Sequence, residues 1–575
     1  MLAVVMTKKN KRRLQILSRE FMHHKRKLGI CFLIVLSILI CVPKLDALVH
    51  PTRYIKSSSD TLPCTIAYLD GKEARQKVVH IPRGSEVRVR QKGTSTTQIS
   101  YHDQDFTVAN ENLVNTLEEA IQIPFVYPRR LLNLQKNKHG KLSDVVVRKG
   151  EKVKVVATKL KDLNRKTGRI RWYQVEKKHK TYWIKGSHVE TTKAEATENY
   201  AKDIVYSSYW DEDYGKGYSK NAYVTQMDYK PQPKVRYKDN PLKSNINSLH
   251  VSLSNLKNHK ETYLNLKKKT GINSLTIELK GDGGNIFYDS DVPKDYLKHP
   301  EQALSGSVMD KAELKALIKE CQDAGYYVIA RSVTFKDSIF AKQNKKESIV
   351  DHKGNFITIN DEYWPSAYSR KAWMYNVDIC KEIAQLGVNE IQFDYCRFPD
   401  GTASQKDTLN LRNKYKESKA SAIQGFLTYA KDELQPYHVY VAADIFAWPV
   451  VVQDDQDIGQ FFPAMANVVD VVSPMPYTDL FEPGSMEIAD PIKAPKKTLY
   501  KFSETTRRQM KEIGTHAQYR TWIQAYAPFT AKDIKKEIQG INQAGFEGYL
   551  IWYGNGDPED IKSVQKGFID SKISK

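Results

Sequence analysis

From about residue 245 onward, this 575-residue chain predicts an α/β fold: a (β/α)8 TIM barrel preceded by two small all-β modules and an N-terminal membrane segment. Three observations predict it. Short apolar runs of strand length alternate with amphipathic runs of helix length, which is the arrangement of a parallel sheet. Eight such strand runs fall within ~320 residues, a length that suits a closed barrel with a few long loops. Capping boxes and terminal glycines lie between them, where helices should begin and end.

The first element is residues 1–50. Leu28 to Val42 is apolar and carries no charge, and it follows a basic stretch that includes Lys8, Lys9, Lys11, Arg12, Arg13, Arg19, Lys25, Arg26 and Lys27. A basic flank before an apolar core is an export signature, and the flank should stay in the cytoplasm. The run is short for a full span of ~20 residues, and Pro43 breaks it. A cleaved signal peptide and an uncleaved signal anchor both fit. The poor cleavage site Leu45-Asp46-Ala47 favours the anchor, with everything after it outside the cell or, if cleaved, secreted.

Composition agrees with folded domains: 41% of residues are hydrophobic and 27% charged. The net charge of +22 favours an anionic neighbour such as nucleic acid, acidic phospholipid or a wall polymer. Six scattered cysteines without a CxxC pair argue against zinc clusters and a disulfide framework.

Two β-rich stretches follow, 60–115 and 124–191. The first contains Thr65–Tyr68, Gln76–Ile81 and Ser85–Arg90. The second contains Ser143–Val147, Gly150–Val156, Trp172–Val175 and Thr181–Lys185. Alternating apolar and charged residues are the mark of half-buried strands. The runs Gly150-Glu151-Lys152-Val153-Lys154-Val155, Trp172-Tyr173-Gln174-Val175 and Tyr182-Trp183-Ile184-Lys185 resemble bacterial SH3-like domains, more weakly in the first stretch. That resemblance implies binding to cell-wall peptide or glycan; a spacer holding the barrel off the membrane is the alternative. Residues 192–244, with Tyr206, Tyr209 and Tyr214, read as linker and barrel entry.

The barrel, 245–565, is predicted to have strands at Leu249–Ser252, Ser274–Lys280, Tyr327–Val333, Glu390–Asp394, Val439–Asp444, Val468–Ser473, Thr521–Tyr526 and Tyr549–Tyr553. Asp310 with Glu313 and Thr530 with Asp533 form capping boxes, and Ser369 caps a helix between the third and fourth strands. Gly325, Gly387 and Gly545 end helices. An open doubly wound sheet would want a Gly-rich phosphate loop after the first strand, and none follows Ser252.

Strand residues alternate faces. Leu275, Ile277 and Leu279 should pack on helices, turning Thr276, Glu278 and Lys280 inward. By the same parity Gln392 with Asp394, and Ala442 with Asp444, face the interior. Asp394 and Asp444 then stand at the C-terminal ends of adjacent strands, where barrel enzymes place their chemistry. Strands ~4.8 Å apart let two carboxylates approach, and a carboxylate pair is what glycosidic cleavage requires. A structural ion pair with Arg331 or Arg397 is the bland reading of these aspartates. Lys280, Arg331, Arg397 and Gln524 suit hydroxyls or acidic substituents. Trp364, Trp448, Tyr477, Trp522, Tyr526 and Trp552 suit sugar faces, or ordinary packing.

The block Glu390-Ile391-Gln392-Phe393-Asp394-Tyr395-Cys396-Arg397-Phe398-Pro399 resembles the signature of a glycosyl hydrolase family of bacterial TIM-barrel proteins, catalogued mostly as a domain of unknown function. Thr276–Lys280, Ala330–Asp337, Ala443–Phe446 and Ser473–Tyr477 resemble further blocks of it. The family is distantly similar to α-amylase-type barrels, so the resemblance implies that Asp394 is the nucleophile and suggests Asp444 as the acid/base. Two departures stand out: Cys396 replaces an aliphatic residue, and Thr478-Asp479 stands where Ser-His is expected.

HExxH, Walker and GxSxG motifs are absent, which disfavours zinc peptidase, nucleotide hydrolase and serine hydrolase chemistry. No metal or other cofactor is expected. The expected partners are a polysaccharide substrate, an anionic cell-wall polymer or peptidoglycan at the SH3-like modules, and the membrane at the N-terminal segment, with no nucleic acid. The sequence thus reads as an extracellular or membrane-tethered glycoside hydrolase, and the closeness of the two strands favours the retaining form. The alternative is a wall protein whose barrel binds glycan without cleaving it.

Overall fold

The computed structural model describes residues 51–571 apart from 71–72, 203, 205–224, 403 and 406. The apolar run Leu28–Val42 and most of the tyrosine-rich linker lie outside the described residues. Among the described residues no helix is long and apolar enough to cross a membrane.

The chain divides into two compact units. One comprises residues up to Val126 with Lys154–Glu176 and Lys185–Ser187; the other comprises Tyr127–Val153, Lys177–Ile184 and His188 onward. The first unit is all-β in its described N-terminal part. Five antiparallel strands lie side by side in the order Gln104–Ala109, Thr96–Tyr101, Glu86–Lys92, Thr52–Ile55, Leu113–Val114. Their alternating pattern buries Ile55, Val87, Ile99, Phe106 and Val108 together. Thr61–Asp70 and Glu73–Pro82 form a long antiparallel hairpin. The stretch 124–191 is shared between the units, with Lys154–Glu176 in the first and Leu132–Gln135 and Leu142–Val147 in the second.

The second unit holds a nearly closed, parallel, nine-strand barrel-like sheet. Its strands are β1 Asn247–Ser252, β2 Ser274–Lys280, β3 Tyr327–Val333, β4 Glu390–Asp394, β5 Tyr440–Phe446, β6 Val471–Met475, β7 Gln518–Tyr519, β8 Thr521–Gln524 and β9 Tyr549–Trp552. Neighbours pair in sequence order from β1 to β7, and β9 joins β8 to β1. Arg520 alone separates β7 from β8. β7 pairs with β6 and β8 with β9, so one run of chain serves both sides of the ring. The break falls beside Pro474 of β6, which has no N–H to give the ladder; its carbonyl accepts Thr521 Oγ1 at 3.0 Å.

Side-chain parity is visible in the packing. Leu249, Val251, Leu275, Ile277, Val328, Ala330, Ile391, Phe393, Val441, Ala443, Val472, Ile523 and Ile551 belong to the core shared with the helices. The opposite set, Tyr327, Ile329, Trp522 and Leu550, packs inside the barrel with Met475, Tyr477 and Trp552 against it. The floor is polar: Arg520 Nη1 donates to Glu390 Oε1 at 2.7 Å, and the Tyr327 hydroxyl donates to Glu390 Oε2 at 3.1 Å.

The helices α1 Lys260–Lys269, α2 Lys311–Asp323, α3 Arg370–Gln385, α4 Lys419–Leu434, α5 Phe462–Ala466, α6 Pro495–Ile513, α7 Ala531–Gln543 and α8 Pro558–Val564 intervene between strands or follow the last. Their ends follow the capping signals. Asp310 accepts from Glu313 N at 2.8 Å before α2, and Ser369 Oγ accepts from Ala372 N at 3.1 Å at α3. Asp533 closes on Thr530 at α7.

Candidate active site

Alternation places Glu278, Arg331, Asp394 and Asp444 on the inner face at the C-terminal ends of four consecutive strands. Glu278 stands opposite Arg331 in the β2–β3 register, and Val333 opposite Asp394 in the next. The β4–β5 register runs through Phe393 opposite Ala443, so Asp394 and Asp444 each come one residue later on neighbouring strands.

Arg331 ties the group together. Its Nε and Nη2 donate to Asp394 Oδ2 at 3.0 and 2.6 Å, and its Nη1 donates to Glu278 Oε1 at 2.5 Å. Asp394 Oδ1 accepts the Tyr395 backbone N–H at 2.7 Å. Burial opposes the Arg331 charge, but Asp394, then Glu278, Asp282 and Asp444 outweigh it and hold the guanidinium above its ordinary value. Trp552 lies under the same guanidinium, 5.4 Å from Arg331 Cζ to the ring centre.

Asp444 is in a different state. Its side chain is fully buried, Oδ1 accepts the Trp522 indole N–H at 2.7 Å, and Oδ2 meets no partner among the described residues. Burial, then the Asp394 charge, push its carboxyl well above the usual range, against the pull of the Trp522 hydrogen bond and of Arg331. A buried oxygen left without a partner is costly when charged and tolerable when it carries a proton. Glu278 is also raised, by burial first, with Arg331 opposing. The site therefore sets a carboxyl bonded to a guanidinium beside one whose acid form burial favours.

The other expected site residues divide. Trp522 lines the interior and Trp552 packs against it, their rings 5.9 Å apart. Tyr477 packs beside them and stacks edge-on to Tyr526 at 6.2 Å. Burial, then Asp444 and Asp394, push the Tyr477 hydroxyl well up. Gln524 is fully buried; its Oε1 accepts Thr478 Oγ1 at 3.2 Å, while its Nε2 meets no partner among the described residues. Arg397 donates to the Phe398 carbonyl, pairs with Asp400 at 3.3 Å and lies over Phe446, Tyr395 and Trp364. Trp448 is 36% exposed, on the helix that follows β5. Trp364 is buried, its indole N–H on the Ile359 carbonyl.

Lys280 leaves the inward set. The ladder shifts register between Glu278 and Lys280, so Lys280 pairs with Ser332 rather than keeping the parity of Glu278 and Arg331. A bulge of this kind re-aims the side chain beyond it. Lys280 is fully buried, donates to the Val333 carbonyl at 2.7 Å, pairs with Asp337 at 2.8 Å and lies over Tyr375 of α3. It is held in the scaffold by these contacts.

One residue of the site was missed. His250 is an inward residue of β1, between Leu249 and Val251, and the alternation applied to the other strands would have found it. Its Nδ1 bonds the Gly554 carbonyl at 2.7 Å, and its ring lies 4.5 Å from Trp552. Burial, then Arg331, lower its pKa to about 3, so the imidazole is neutral with Nδ1–H donating and Nε2 an acceptor without a partner among the described residues.

Residues 248–557 match the family model described as "Putative glycosyl hydrolase domain". No curated protein matches the chain. Among solved structures, a hypothetical protein from Ruminiclostridium thermocellum ATCC 27405 is 27% identical, covering 34% of this chain and 96% of its own, with a TM-score of 0.30. The PgaB (BpsB) glycoside hydrolase domain from Bordetella bronchiseptica is 14% identical, covering 56% of this chain and 99% of its own, with a TM-score of 0.41.

Proposed function

The chain belongs to this glycosyl hydrolase domain family, and from that premise we propose that it is a retaining glycoside hydrolase acting on a cell-wall or extracellular polysaccharide through a (β/α)8 barrel. In this reading Asp444 protonates the glycosidic oxygen and Asp394 attacks the anomeric carbon. The covalent intermediate is then hydrolysed by water, with Asp444 as base. Trp522, Trp552 and Tyr477 supply apolar surface for sugar rings. The N-terminal segment delivers the barrel outside the cytoplasm, as an anchored or secreted protein, and the β-rich stretches engage anionic wall polymer.

The observation that carries this is the unequal environment of two neighbouring carboxyls. Asp394 has a guanidinium on one oxygen and a backbone N–H on the other, whereas Asp444 is buried with its acid form favoured. Unequal environments of two carboxyls are how acid and nucleophile roles are assigned. A second assignment rests on access. The Glu278 side chain is 18% exposed where Asp444 has no exposure, and its pKa is raised too, so Glu278 is the alternative proton donor.

The test is to incubate the protein with a panel of bacterial and plant glycans and follow released oligosaccharides by mass spectrometry. Asp394→Asn should cut release by orders of magnitude with the fold intact. Of Asp444→Asn and Glu278→Gln, the variant that abolishes release on poor leaving groups yet spares activated aryl glycosides marks the acid. Full activity in both aspartate variants sinks the two-aspartate mechanism. Binding without any release by the wild type leaves a glycan-binding barrel that does not cleave.

A further inference from the structure

We propose that the cavity between the loops following β3 and β4 is a binding subsite for an anionic saccharide, a sugar polymer bearing carboxylate or phosphate groups. The proposal rests on the glycan-directed reading above and gives it a substrate class. The cavity has a volume of about 600 Å³, within the ~300–1,000 Å³ usual for small-molecule sites. The strand Leu142–Val147 contributes Leu142 and Asp144 to its wall, and the rest comes from the two loops and the start of α3.

Its charges do not balance. The lining includes Lys346, Arg370, Lys371, Arg412 and Lys414 against the carboxylates of Asp144 and Glu347. Lys414 pairs with Asp144 at 2.7 Å, and Arg370 pairs with Glu417 at 2.7 Å. Glu347 accepts the Ser369 hydroxyl at 2.6 Å. Among the described residues neither Lys346 nor Arg412 has an ion-pair partner, and Arg412 Nε is a buried donor with no acceptor. Arg370 is held rigidly, 3.8 Å from the Trp373 ring centre and 4.4 Å from that of Tyr415. The N-terminus of the 16-residue helix α3 opens at the same place and adds to the positive field. A neutral sugar gains little from unpaired cations; a carboxylate or phosphate answers them, and a guanidinium fork suits both.

The cavity also stands on the reactive face. Its two loops leave the barrel immediately after Val333 and Asp394, at the C-terminal ends of their strands. Tyr368 of the lining packs on Phe398 at 4.7 Å, and Arg397 lies over Trp364 of the first loop. The cavity is thus built from loops that leave the same end of the barrel as the carboxylates.

The test uses the full chain in an Asp394→Asn background, so that turnover does not confuse binding. Trigalacturonate, its methyl ester and a maltotriose phosphate are titrated by calorimetry at low and high salt. One of the two anionic probes should bind about tenfold more tightly than the neutral ester, and which one does identifies carboxylate or phosphate. Lys346→Gln with Arg412→Gln should erase that advantage, and Arg412→Lys should keep part of it. The proposal is overturned if neither anionic probe binds, if the ester binds equally well, or if the double variant binds like its parent. Failure of the hydrolase reading looks different: the subsite binds as described while the wild type releases no product from any glycan.

Discussion

Asp444 shows how one side chain's state depends on neighbours supplied by other strands. Its proton is held by burial and by the Asp394 charge, and is drawn off by the Trp522 N–H. Trp522→Phe removes a hydrogen bond that favours the ionised form, so the Asp444 pKa should rise further. If Asp444 is the acid, the alkaline limb of kcat/KM against pH should move to higher pH in that variant; an unmoved limb would assign the limb to another group. A stability effect follows with a definite sign. The native pKa lies above the unfolded value of ~3.9, so between the two the native state holds a proton that the unfolded chain has lost. Stability contributed by this group is therefore present at low pH and lost as pH rises through the native pKa. Asp444→Asn removes that loss, and its Tm should gain on the wild type as pH is raised from acid to mildly alkaline. A constant difference across that range would contradict the assignment. Asp394, Asp444, Glu278 and Arg331 were legible because strict alternation on four strands brings them inward. Lys280 was not, because the bulge that turns it depends on pairing with β3 and leaves no mark in the local pattern.

At the scale of elements, helix ends were the most legible feature, since a cap needs only residues a few positions apart. Asp310 and Glu313 close on each other before α2 as their spacing requires. Asp310→Ala should cost about 1 kcal/mol, seen as a small fall in Tm. Gly284 carries a harsher constraint. Its φ is +102°, and an added Cβ would stand 2.0 Å from Asp337 Oδ1, on the carboxylate that holds Lys280. Gly284→Ala should therefore lower Tm well beyond the Asp310→Ala effect, since strain and a displaced buried ion pair add. Equal effects would mean that the turn adapts freely. The break between β7 and β8 was not legible from Thr521–Tyr526 alone. Its cause, Pro474, sits on the neighbouring strand, and the register that opposes them is a tertiary fact.

Across the whole molecule, the alternation of strands and helices was legible because each period is local, whereas the way the 124–191 stretch divides between two compact units was not, because that depends on packing partners distant in sequence. Net charge is legible but speaks to partners rather than fold. With 89 basic and 67 acidic residues the formal charge is +22, and Lys152, Lys154, Lys178 and Lys180 of that stretch are exposed. Exposed charges act across a distance set by salt, about 30 Å at 0.01 M but only about 3 Å at 1 M ionic strength. If attraction to an anionic polymer brings this protein to cell walls, the full chain should sediment with purified walls at low salt and return to the supernatant at high salt. Walls stripped of their anionic polymer should retain much less of it. Retention that survives 1 M salt would instead point to apolar or sugar-stacking recognition, and no sedimentation at any salt would reduce the β-rich stretches to a spacer.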